Sequence, residues 1–322
     1  MSCEQFKSKN NNQKEYKKLS CPNCNCSDLI KWGKRKTENR GKIQRYKCRG
    51  CNNTFIRDDG FFRMRNHPKK ITCAIDLFYR GVSTRKVQEH FQAFYPHNSS
   101  NVSIYNWVIK YSSMISRFTD GLKLKVGSEV QIDEIEYQRR KSHKKGSRGV
   151  EDNYFIDSVD TKTRFMTGSD FTNQREIDDL KIVTTKIKVR TEKQIKKVTT
   201  DGLQGYPKAI KKAWGYNNKL GKFNVEHNQV VTSKTGTFNY PIERVHNNIR
   251  ARTKTFRGFH GSLESAKNIM KGIEIYYNFI TEHQAIKCCP YELACPELEL
   301  KSNNKWLELI KLSKKNDDSK SF

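Results

Sequence analysis

Two sets of side chains in this sequence have the types and spacing for metal chemistry. The first is Cys21-Pro-Asn-Cys24 and Cys48-Arg-Gly-Cys51, two Cys-x-x-Cys turns with 23 residues between them. Each turn can present two thiolates to one tetrahedral ion, and two turns complete the closed four-sulfur shell typical of structural zinc. Cys26 is a possible substitute ligand, although the knuckle geometry favours it as a bystander. A redox dithiol is the alternative, but that motif usually occurs once and beside a helix. The second set is three carboxylates distinguished by position: Asp133 in mid-strand, Asp201 at a strand end 68 residues on, and Glu243 on a helix 42 residues further. Hard oxygen ligands suit Mg²⁺ or Mn²⁺. Two such ions ~4 Å apart can drive an in-line phosphoryl displacement with no covalent protein intermediate. Composition alone would not single out these three among 34 acidic residues.

The elements that must position them can be read from local patterns. Glu129-Val-Gln-Ile-Asp-Glu-Ile-Glu-Tyr137 alternates like a half-buried strand, and a carboxylate inside it is costly unless paired or bound to a cation. Glu134 and Glu136 alternate to the face opposite Asp133, so at most one face should supply the site. Residues 154–160 and 164–172 form a hairpin, with Asp157 and Asp160 read as turn or edge residues. A helix over 174–190 and a strand over 195–200 follow, then a helix over 206–214, so Asp201 lies at the carboxyl end of a strand, where sites of open α/β sheets assemble. A short strand over 223–226 completes five. Asn239 and Pro241 start the helix of Glu243, and His246, Asn247 and Arg250 fall on the same face as Glu243. Taken alone, that helix could be an ordinary basic surface helix, and His246 either a ligand or a satisfied structural histidine. A long helix over 262–284 comes last, and the Lys/Asn/Ser-rich tail from Lys301 should fray.

Upstream, Leu29-Ile30, Gln44-Arg45-Tyr46 and Thr54-Phe55-Ile56 have strand composition and build a small ribbon around the cysteines. Residues 69–118 carry three helical stripes, with Gly81, Ser83, Pro96 and Ser103 as stops and caps. The third helix would leave Tyr105, Asn106 and Lys110 exposed opposite its apolar stripe, where they could lie in a major groove; any three-helix packing module would show the same pattern. The loop 139–149 holds six Lys/Arg and no acid, including Arg139, Arg140, Lys141, Lys144 and Lys145. It is either solvated or grips phosphates. The whole chain has 322 residues, 62 Lys+Arg against 34 Asp+Glu and a formal charge of +28, a surplus that points to a polyanion partner. No apolar run approaches a membrane span and no signal peptide begins the sequence. The expected setting is therefore the cytoplasm, with the reducing conditions that leave ten cysteines for metal rather than disulfides.

Asp133-Glu134 in its strand, Thr200-Asp201-Gly202 before a helix with Tyr206, and Glu243-Arg-Val-His246-Asn-Asn-Ile-Arg250-Ala-Arg252-Thr-Lys254 through Arg257-Gly258-Phe259 resemble the catalytic core of DDE insertion-sequence transposases. The resemblance covers roughly residues 65–290 and is most specific in the Glu243 block and the Ser262–Gly272 segment after it. It implies a ribonuclease-H-like domain in which Asp133, Asp201 and Glu243 hold two Mg²⁺ or Mn²⁺ ions and Arg250 is the basic residue seven positions after the glutamate. Arg252 and Lys254, further along the same basic helix, are expected to contact DNA. The fold expected is multidomain α+β. It comprises a disordered arm (1–19), a zinc ribbon with one Zn²⁺ (20–60), a helix-turn-helix domain (65–120), an α/β catalytic domain with a mixed five-stranded sheet (127–290) and a tail (291–322). The function implied is binding of terminal inverted repeats, strand cleavage and strand transfer, in a homodimer or larger assembly on double-stranded DNA near the nucleoid. A non-enzymatic DNA-binding regulator and a metal-dependent nuclease are the competing readings.

Overall fold

The computed structural model describes residues 19–38, 40–95, 99–140, 149–230, 239–256 and 259–320. The arm over 1–18 and the basic loop with Lys141, Lys144 and Lys145 lie outside them. At the N-terminus, β1 (Leu29–Thr37), β2 (Gly41–Cys48) and β3 (Thr54–Ile56) form an antiparallel three-stranded ribbon. The two cysteine turns have the same shape. Asn25 N–H bonds to Cys21 O and Asn52 N–H to Cys48 O, and each asparagine takes a positive φ, 57° and 59°. Asparagine tolerates that left-handed conformation at little cost.

Three helices follow: α1 (Pro68–Tyr79), α2 (Thr84–Phe94) and α3 (Asn101–Thr119). Their starts are chemically marked. His67 Nδ1 and the Ser83 hydroxyl each accept a backbone N–H of the first turn. The third helix begins one cap earlier than its pattern suggested: Ser100, not Ser103, accepts the exposed amide, that of Ser103 itself. Ile104, Trp107, Val108, Tyr111 and Ile115 form its buried stripe.

The main path of the sheet runs β10-β7-β4-β5-β6, five strands in mixed orientation, and a sixth, two-residue strand pairs with β4 off this path. β4 (Glu129–Arg140), β5 (Val150–Asp160) and β6 (Met166–Thr172) are an antiparallel meander, while β7 (Lys197–Thr200) and β10 (Glu226–Gln229) add parallel strands beyond β4. Where one strand was expected over 223–226, the chain makes a tight hairpin of β8 (Tyr216–Asn217) and β9 (Lys222–Phe223) and only then β10. Helices α4 (Ile177–Thr191) and α5 (Gly205–Trp214) cover one face, packing Leu180, Val183, Tyr206 and Ile210 on Val130, Ile132 and Ile156. The other face is covered by α6 (Tyr240–Thr253) and α7 (Leu263–Ile275), with Ile242, Val245, Met270 and Ile273 against Ile135, Phe155 and Phe171. The long helix expected over 262–284 does not continue as α: after Ile275 it widens into a π-turn, Tyr276–Ile280.

The tail does not fray. After α8 (Pro290–Ala294), Lys305–Lys320 forms α9, because Trp306, Leu309, Ile310 and Ser313 repeat at helical spacing and are buried despite the polar composition around them. Trp306 stacks on Tyr79, with ring centroids 5.3 Å apart, and its indole N–H bonds to Asp76. A single apolar core thus runs from Phe61 through α1, α3, α6, α7 and β5 to α9. Its tightest joint is Gly272 on α7, where any Cβ would overlap the Tyr79 hydroxyl, which itself bonds to Ser112 and reaches Ile269 O.

Candidate active site

The edge of β4 facing β7 is only partly used. β7 pairs with residues 129–131, and a two-residue strand β11 (Phe259–His260) pairs with Arg139 and Arg140. Between those stretches this edge has no strand partner among the described residues. Asp133 and Glu134 lie in that notch. Continuing the register Gln131↔Thr199 by two residues brings Asp201, just past the end of β7, level with Asp133.

Carboxylate oxygens of Asp133, Glu134 and Asp201 all lie within 4.8 Å of one another. Asp133 and Glu134 point to opposite faces of β4, as alternation requires. Their heads nevertheless meet, which corrects the expectation that only one face could supply the site. An open strand edge lets side chains from both faces curl around it, whereas a paired edge would hold them apart. Each acid is held separately. Asp133 Oδ1 accepts the Glu134 N–H at 2.8 Å, and Asp201 Oδ1 accepts the Leu203 N–H at 2.9 Å. Glu134 accepts the Tyr206 hydroxyl at 2.7 Å and an Arg175 N–H at 3.2 Å.

Beside Asp133 stands a buried pair that spacing alone did not reveal. His246 Nε2 is 2.7 Å from Asp157 Oδ1, and its Nδ1 is 3.6 Å from Asp133 Oδ2. Asp157 pairs directly opposite Asp133 in β5 and is fully buried, so it is not the turn or edge residue expected. Its signal was present: a carboxylate between Phe155-Ile156 and Val159 must find a partner. Asp160, by contrast, does serve the turn, accepting from the Thr163 N–H and hydroxyl.

Burial raises the Asp133 carboxyl to about 6, only partly countered by His246. Burial likewise raises Glu134 and Asp157. Burial would lower His246, but Asp157 and Asp133 outweigh it and its imidazole is raised. The raised carboxyls of Asp133 and Glu134 gain from a cation, and hard oxygen donors this close fit a divalent ion.

Glu243 lies half-buried in the first turn of α6 and is not part of the three-acid cluster. The helix is nonetheless anchored at that end, its Ile242 N–H bonding to the Gln131 side chain 3.2 Å away. Arg250 is exposed, one turn past His246, and its charge reaches both His246 and Asp157. Of the residues expected on DNA, Asn106, Lys110 and Lys254 are exposed, and Tyr105 is half-buried against the core. Arg139 is corrected: it is buried, and its guanidinium is spent on Asn153, Gly261 O and Glu151. Strand alternation carries it inward before the basic loop begins. Arg252 is partly buried over the Tyr276 ring, while the side chain of Arg140 lies outside the described residues.

At the other end of the chain, the sulfurs of Cys21, Cys24, Cys48 and Cys51 lie within 4.8 Å of one another, with Cys21–Cys51 and Cys24–Cys48 at 3.5 Å. A tetrahedron of ~2.3 Å metal–sulfur bonds has edges of about 3.8 Å, so the cluster fits a zinc-sized ion. Cys26 stays outside it, its sulfur accepting the Asp28 N–H.

A family comparison decides what the sheet belongs to: residues 149–283 match the model of a DDE domain. This stretch is a DDE-type transposase domain. Asp201 and Glu243 fall inside it, and Asp133 precedes it on the adjoining strand. Comparison with curated proteins gives no match. Among solved structures, the crystal structure of a pre-cleavage Mos1 transpososome is similar over 82% of this chain and 83% of that chain, at 7% identity. Its TM-score of 0.28 is too low for that likeness to support an argument.

Proposed function

We propose that the chain is an insertion-sequence transposase that binds the ends of its element and cuts and joins DNA strands through a two-metal phosphoryl transfer. The observation that carries this reading is the convergence of Asp133 and Asp201 at the notch of a sheet that continues into a DDE domain. Asp133 and Asp201 would hold the ions, with Glu243 closing the shell from α6. When bound, Mg²⁺ or Mn²⁺ activates a water or a 3′-hydroxyl and stabilises the leaving oxygen. The protein supplies the rest. His246, fixed by Asp157, orients the Asp133 carboxylate, Tyr206 and Arg175 tether Glu134, and Arg250 receives the neighbouring phosphate. The cysteine cluster holds one zinc ion and shapes the ribbon. Ribbon and three-helix unit grip the terminal repeats, with Asn106 and Lys110 on the exposed side of α3. Two ends must be paired, so the working form is a dimer or larger, acting on DNA in the cytoplasm.

Asp133→Asn, Asp201→Asn and Glu243→Gln test the reading. Each should lower strand transfer by a factor on the order of 10³ while end binding, followed by gel shift, stays near wild type. A variant that still joins ends at the wild-type rate would sink the assignment.

A further inference from the structure

On the side of α6 away from the three acids, a cavity of ≈ 500 Å³ opens between that helix, the π-turn and the segment after it. Its walls are chemically unfinished. Ten buried side-chain polar atoms have no hydrogen-bond partner among the described residues, and four belong to residues lining this one cavity: Arg252 Nε, Tyr277 Oη, Thr281 Oγ1 and His283 Nδ1. Tyr277 is only 7% exposed. An unmade bond at a buried group costs about 1–3 kcal/mol, so four around one space point to something that completes them.

The surroundings say what. The Arg252 guanidinium lies 4.8 Å over the Tyr276 ring, and Tyr277 packs edge-on against His283 at 5.7 Å. Burial, together with Arg164 and Arg244, lowers the His283 pKa, so its ring is neutral and can either donate or accept. Arg244 and Asn248 stand on the α6 wall. Flat aromatic and guanidinium surfaces, hydroxyls and an imidazole that both donate and accept, and cations nearby are complementary to a nucleobase with its phosphate. The π-turn is what places this set, because the wider turn puts Tyr276, Tyr277 and Thr281 on one wall; such turns cluster at functional sites. Arg244 follows Glu243 directly, so one helix carries both the proposed metal ligand and a wall of the cavity.

From this we infer that the cavity receives one unstacked nucleotide of a DNA strand, an inference that rests on the reading of the chain as a DNA-processing enzyme. Binding of the full-length chain to three probes tests it: a short fluorescent oligothymidylate, an abasic backbone of the same length, and free dTMP as competitor. The oligothymidylate should bind about tenfold more tightly than the abasic strand. In Tyr277→Phe/Thr281→Val, which keeps side-chain volume, it should lose about fivefold in affinity while abasic binding is unchanged. Equal binding of the two strands would overturn the inference, as would a base preference the double variant leaves intact. Competition by dTMP at the same concentration as the oligonucleotide would make the occupant a free nucleotide and overturn it too. Metal-dependent cutting by the wild-type chain is the separate check. DNA bound and cut without base preference removes the cavity's role alone, whereas a chain that neither binds nor cuts DNA removes both.

Discussion

Two carboxyl groups packed on the same face of the sheet meet burial with opposite results. Glu274, on α7, is 4% exposed, yet its carboxyl is lowered: burial opposes the charge, but Lys271 at 2.7 Å and Arg190 at 3.4 Å outweigh it. Asp133 is less deeply placed and is nonetheless raised to about 6 by burial, since among the described residues its one close cationic partner is His246, already engaged by Asp157, and Glu134 and Asp157 add like charge. Glu274 is a finished ion cluster that ties α7 to α4. Asp133 is left short of positive charge at the strand edge where a cation could supply it. The contrast separates a carboxylate whose charge is matched by its neighbours from one whose charge is not.

Glu274→Ala leaves Arg190 in the core with the Thr167 and Thr119 carbonyls and Lys271 with Asp120, and should cost about 3 kcal/mol in urea unfolding. A loss under about 1 kcal/mol would mean the cluster is not finished at all. His246→Ala leaves Asp157 buried without its cation and should cost about 3 kcal/mol, with metal affinity falling as Asp133 loses its support. Asp133→Asn should go the other way. The Asn oxygen can still accept the Glu134 N–H, and the metal-free variant at neutral pH should be more stable than wild type by about 2 kcal/mol.

A carboxyl held near 6 when folded takes up more protons than the unfolded chain below that pH. Its contribution is therefore present in acid and lost as pH rises from about 4 through about 6, and the Asn variant should lack this slope in metal-free denaturation curves. The smallest effect expected is on the ion itself. Since ligands must be deprotonated, Mg²⁺ affinity measured calorimetrically should be about tenfold weaker at pH 5 than at pH 7.

Much of this architecture was legible in residue order. The cysteine spacing predicted the four-sulfur cluster, alternation over 129–137 predicted β4, and Thr200-Asp201 fell where a strand end was expected. What was hidden depended on neighbours distant in sequence. Alternation puts Glu134 on the wrong face, and only the early end of β7 at Thr200 lets its carboxylate join Asp133. Asp157 looked like a turn residue until β5 placed it opposite Asp133. Arg139 read as part of a basic loop because charge counts ignore which way a strand side chain points. In the tail, the lysines and asparagines masked four inward positions from Trp306 to Ser313 that are buried only once α1 and α3 are present.

Gly272 has a consequence for how such a chain would measure DNA. With no Cβ there, α7 closes directly onto Tyr79 and Ser112, and the three-helix unit shares its interior with the sheet instead of swinging on a tether. If the three helices grip duplex DNA as proposed, the carboxylates would stand at a set number of base pairs from the gripped stretch, as the jaws of a caliper do. A methyl group at position 272 would loosen the jaws, and cut sites mapped at nucleotide resolution would scatter before activity disappeared.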